Sequence, residues 1–74
     1  MPQFRLSITQ LGEPERTKIF RSETVETALE HARRQVEGKI LSEDVLPTSS
    51  PRRHYLALNL VGGGYLTLEH YDGP

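Results

Sequence analysis

The strongest pattern in the chain is a run of apolar residues with helical spacing. Its members recur every three or four positions, so they share one face of an α-helix. These residues are Val25, Ala28, Leu29, Ala32 and Val36. Ser22 precedes the run and is predicted to cap the helix N-terminus. Gly38 is predicted to end the helix.

Three other stretches alternate apolar and polar residues with a period of two, which is typical of half-buried strands. They cover residues 4–9, 55–61 and 65–71. A fourth stretch, 15–21, has a poorer pattern because Ile19 and Phe20 are neighbours, and its charges predict an edge strand that returns antiparallel to the first. The segment between the helix and the stretch 55–61 lacks this alternation, and we expect one helical turn within 42–47 and a loop over 47–53. The pattern therefore predicts one small α+β domain over residues 1–74, with the element order ββαββ.

The simplest sheet for these elements has four strands, with the first and last side by side and parallel in the order 2-1-4-3. This mixed sheet, with one helix packed on one face, resembles the β-grasp arrangement of ubiquitin-like proteins in element order and length. Conjugated members of that family end in an exposed di-glycine, whereas this chain ends Asp72-Gly73-Pro74. The same element order also occurs in some small phage-encoded inhibitors of host defence, which leaves a phage accessory role open.

Charge and cysteine content narrow the function classes. The chain has 9 basic and 10 acidic residues, so it lacks the basic excess of many nucleic-acid binders. It has no cysteine, which excludes disulfides and thiolate metal sites. The three histidines lack metal-site spacing, and no motif specifies a catalytic nucleophile or a cofactor. We expect a soluble cytoplasmic protein without metal or cofactor.

The most distinctive predicted surface is the sheet face turned away from the helix. All three tyrosines fall on it if the strand leucines point towards the helix. Aromatic side chains on an uncovered sheet are used by protein interfaces and by single-stranded nucleic-acid platforms. A basic pair in the loop adds charge beside this face. The predicted contact residues are Arg5, Arg52, Arg53, Tyr55, Asn59, Tyr65 and Tyr71.

The leading functional hypothesis is a non-enzymatic module that docks on a larger protein through the tyrosine face or an edge strand. A single-stranded nucleic-acid platform built on the same residues is the alternative. Two further alternatives are that the tyrosines cover their own sheet by cross-strand contacts, or that they pack two copies of the chain into a homodimer.

One enzymatic hypothesis also remains. Removal of Met1 would expose the secondary amine of Pro2 directly before a strand. This opening resembles the tautomerase family, in which a terminal proline acts as a base. That family continues from strand to helix, whereas here a second strand is predicted in between.

Overall fold

The computed structural model describes residues 2–44 and 54–72, which form one helix and one sheet of five strands. The α+β class predicted from the sequence is therefore confirmed. In chain order the elements are β1 (Gln3–Thr9), β2 (Arg16–Arg21), α1 (Val25–Gln35), β3 (Ile40–Glu43), β4 (His54–Leu60) and β5 (Gly64–Tyr71).

The strand order is β2-β1-β5-β4-β3, and every neighbouring pair is antiparallel. The predicted four-stranded mixed sheet is wrong in strand number and in the direction of its central pair. The first and last strands are neighbours as predicted, but they run antiparallel. The reason is β3, because one extra strand after the helix reverses the direction of every strand that follows.

β3 has little sequence signal of its own. It is four residues long, all exposed, and it begins with the adjacent apolar residues Ile40 and Leu41 rather than an alternating pattern. Its pairing with β4 shifts register between Ile40 and Ser42, so Leu41 sits at an irregularity. The helical turn predicted within 42–47 is wrong at 42 and 43, which belong to β3, and residues 45–53 lie outside the described part.

The helix begins two residues later than the cap prediction implies. Thr24 is the N-cap, and its side-chain oxygen accepts a hydrogen bond from the Thr27 amide at 3.1 Å. Ser22 is buried, and its own amide donates to the Pro2 carbonyl at 3.2 Å, which extends the pairing of β1 and β2. Ser22 therefore ends the hairpin, and the helix starts after it.

The core lies between α1 and the inner strands. Ala28 and Ala32 are fully buried on the helix, where their small side chains let the helix approach the sheet closely. The helix packs mainly over β4. A helix is about 10 Å wide, whereas five strands spaced by about 4.8 Å span roughly twice that width. The helix therefore leaves a groove on each flank, above β2 and above β3. The buried strand residues beneath it are Phe4, Leu6, Leu56, Leu58, Leu60, Leu66 and Leu68.

Candidate functional site

The side of the sheet opposite the helix, here called the polar face, is crossed by an ion pair. Arg5 on β1 and Glu69 on β5 are directly opposite in the strand register. The Arg5 guanidinium donates through Nε and Nη2 to the same carboxylate oxygen of Glu69. Arg5 was predicted as a partner contact, but its charge is already engaged within the sheet.

A second polar cluster lies where β3, β4 and β5 meet. Asn59 donates to Asp44 Oδ1 at 2.7 Å and to Ser42 Oγ at 3.1 Å. The Tyr65 hydroxyl donates to the other Asp44 oxygen at 3.0 Å. Asn59 and Tyr65 are register partners, so Asp44 bridges two neighbouring strands from the end of β3. Two predicted contact residues, Asn59 and Tyr65, are thus brought together by a residue that the sequence did not single out.

This cluster changes the acidity of Tyr65. Burial raises the pKa of the phenol above its usual 10.0, and the hydrogen bond to Asp44 and that carboxylate's negative charge raise it further. The neutral phenol is the form that donates to Asp44. The pair therefore stabilises the attachment of β3 to the sheet at neutral pH.

Tyr55 does not lie on the polar face. A register shift between His54 and Leu56 makes Tyr55 an extra residue in β4. Such a bulge turns two successive side chains towards the same side. The Tyr55 ring packs edge-on against Phe4, with centroids 5.7 Å apart, at the border of the core. The prediction that all three tyrosines share the outer face is therefore wrong.

The centre of the polar face is not an open platform. Ala57 on β4 is only 1% exposed although it does not point towards the helix, and Glu69 is also buried. Tyr71 is half-buried at the end of β5, opposite Gln3. Arg52 and Arg53, the basic pair predicted to support binding, lie outside the described residues. Of the predicted contact residues that the structure describes, Arg5, Asn59 and Tyr65 are engaged in internal pairs, Tyr55 borders the core, and Tyr71 is half-buried.

The free edge of β2 has a different character. Five of its six residues are exposed. Arg16 and Lys18 lie opposite Ile8 and Leu6, so they point to the helix side. This flank of the helix has a cavity of about 260 Å³. The residues that line it are Leu6, Ile8, Arg16, Thr17, Lys18 and Gln35. Within the described part of the chain, no ion pair involves any cation of β2.

The opposite flank of the helix holds a larger and more apolar groove. Leu29 and Ile40 contribute its apolar side chains, and its cavity is about 440 Å³. Charged residues of α1 form the rim, and three of them are engaged in ion pairs: Arg34 with Glu30 at 2.6 Å, and Arg33 with Glu43 of β3 at 3.2 Å. This helix–β3 groove was not predicted, because β3 itself was missed.

His31 and His70 both pack against aromatic rings. The His31 ring lies tilted against Phe20 with ring centroids 4.6 Å apart, and His70 meets Phe4 edge-on. Among residues 2–44 and 54–72, no three histidine or carboxylate side chains are grouped to hold a metal ion. Pro2 is exposed before β1, and β2 follows β1 before the helix.

Comparison of the chain with protein-family models, with curated proteins and with solved structures finds no match. In the described part of the chain, no helix has the length and apolar character needed to cross a membrane. Function must therefore be inferred from the geometry and charge of the described surfaces.

Proposed function

We propose that this protein is a small non-enzymatic interaction module that binds an extended, acidic segment of a larger protein along the free edge of β2. One observation carries the proposal. β2 is an exposed outer strand whose cations have no ion-pair partner among the described residues, whereas Arg5, Arg33 and Arg34 are all paired. An outer strand offers backbone N–H and C=O groups to a further strand.

The side chains of β2 define what such a strand should carry. On the helix side, residues opposite Arg16 and Lys18 would be acidic, because charge-assisted pairs are the strong hydrogen bonds. On the other side, Ile19 is 48% exposed and would face an apolar residue. The matching segment therefore alternates acidic and apolar residues over about six positions.

The cations of β2 also disfavour pairing with strands that are not acidic. Charged residues on an outer strand discourage indiscriminate pairing, because a basic or neutral strand cannot neutralise them. A second copy of β2 would bring more cations to this edge, and like charges across a strand pair are destabilising. The edge is thus suited to an acidic partner rather than to self-association.

The test uses a fluorescent, capped peptide of about eight residues that alternates glutamate and valine, with a lysine–valine peptide as its counterpart. Fluorescence anisotropy should detect saturable binding of the acidic peptide only, weakened by added salt. The double variant Arg16→Glu/Lys18→Glu should weaken binding at least about tenfold. Lys39→Glu, an exposed lysine at the far end of the helix, is the matched control and should bind like the wild type.

Backbone pairing is tested separately from charge. Methylation of the peptide amides that face β2 should abolish binding, whereas methylation of the amides that face away should not. Equal effects of the two methylations would overturn strand addition. The nucleic-acid alternative would replace the proposal if a single-stranded oligonucleotide binds more tightly than the acidic peptide and if the same double variant abolishes that binding.

A further inference from the structure

The helix–β3 groove carries an inference that does not depend on the β2 edge. We infer that this groove is the interface of a two-fold symmetric homodimer, in which α1 of one protomer lies antiparallel to α1 of its partner. Exposed apolar side chains lie in and beside the groove, and charges of opposite sign lie at the two ends of its helical rim.

The apolar surface is concentrated at the start of β3. Ile40 lines the groove, and its neighbour Leu41 is 70% exposed. Val61 is also exposed and is held beside them, because its amide donates to the Lys39 carbonyl at 2.8 Å. Ile40 and the half-buried Leu29 supply the apolar centre of the groove, inside a charged rim, which is how stable interfaces are organised. Leu41 and Val61 extend the exposed apolar surface next to Ile40.

The rim charges indicate which partner fits. Along α1, Glu26 lies in the first turn, whereas Arg33 and Arg34 lie in the last. A two-fold axis reverses this order, so Glu26 of each protomer meets Arg33 of the other. Arg33 also pairs with Glu43 of its own chain at 3.2 Å, so its guanidinium would be shared between the two carboxylates. Glu26 has no ion-pair partner among the described residues, and this arrangement supplies one. The antiparallel helix dipoles are also favourably aligned.

The size of the chain gives the dimer a physical advantage. A domain of about this length buries only around 60% of the surface that its unfolded chain exposes. Covering Ile40, Leu41 and Val61 against a second copy removes apolar area that the single helix does not reach. β3 is too short and irregular to extend the sheet between protomers, so contact through the groove is favoured over strand pairing.

The test is the mass in solution by analytical ultracentrifugation, from about 1 µM to about 1 mM. The mass of the 8.4 kDa chain should double with rising concentration. Leu41→Asp should keep the protein monomeric throughout that range. Leu11→Asp is the matched control: Leu11 is 84% exposed in the β1–β2 turn, and its substitution should leave dimerisation unchanged.

Charge reversal distinguishes the two-fold interface from simple loss of apolar surface. Glu26→Arg and Arg33→Glu should each weaken dimerisation about tenfold, and the double variant should recover it, because the complementary signs are restored on both protomers. Circular dichroism confirms that each variant is folded. The inference is overturned by a monomer at every concentration, by a dimer that persists in Leu41→Asp, or by a double variant that remains weakened.

Discussion

Arg5 on β1 and Glu69 on β5 face each other, and their ion pair joins these two inner strands on the side that the helix does not cover. Glu69 is buried, where a carboxylate is stabilised by ion pairs and hydrogen bonds. Arg5 directly follows the core residue Phe4, and Glu69 directly follows the core residue Leu68, so the ion pair lies on the opposite face of the sheet from these core side chains.

The first prediction concerns this pair. Arg5→Met should lower the free energy of unfolding by about 1–3 kcal/mol, because it removes the guanidinium that pairs with a buried carboxylate. Arg21→Met on the exposed edge strand β2 is the control and should change stability by less than about 0.5 kcal/mol. Urea denaturation measures both. Equal losses in the two variants would mean that the ion pair contributes nothing specific.

The second prediction concerns the pH dependence of the Asp44–Tyr65 pair. The pKa of Tyr65 is raised above 10.0 in the folded protein, so the folded state retains the phenolic proton to higher pH than the unfolded chain. This contribution to stability is complete below about pH 10 and is lost as the pH rises through the folded-state pKa. Phenolate absorbance of the wild type minus that of Tyr65→Phe isolates the titration of Tyr65.

Substitution of Asp44 supplies the control for that titration. Asp44→Asn removes the negative charge but keeps an oxygen that can accept a hydrogen bond, so the pKa of Tyr65 should fall back towards 10.0. A Tyr65 midpoint that is the same in both proteins would show that Asp44 does not control it.

The third prediction separates two tyrosines that look alike in the sequence. Tyr55→Ser should lower the free energy of unfolding by about 2–3 kcal/mol, because the ring packs against Phe4. Tyr71→Ser at the end of β5 should cost about 1 kcal/mol or less. Thermal unfolding followed by circular dichroism compares them. If Tyr55→Ser is as stable as the wild type, the ring does not contribute to the core as its position indicates.

Much of the local structure could be predicted because it depends on local spacing. The helix follows from the spacing of Ala28, Ala32 and Val36, and the strand leucines follow from their alternation. Both patterns are set by the backbone geometry of neighbouring residues. Ser22 was misjudged as the cap, since either Ser22 or Thr24 suits that role and only the pairing of Ser22 with Pro2 decides between them.

The candidate surfaces were less predictable, because they depend on contacts between distant residues. Tyr55 fits an alternating pattern in the sequence, yet a bulge in β4 turns it towards Phe4. Asn59 and Tyr65 were predicted to share a face, but not to be tied together by Asp44. A bulge and a cross-strand hydrogen bond both arise from the pairing of strands, which a periodic pattern does not encode.

One amphipathic helix, four of the five described strands and the α+β class could be predicted from the sequence alone, since each follows from periodicity along a short segment. The strand number, the antiparallel direction of β5 beside β1 and the surfaces that the helix leaves uncovered depend instead on contacts between distant segments. β3 illustrates the reason. Four residues are too few to show a period, and Ile40–Glu43 becomes a strand because β4 offers a partner edge.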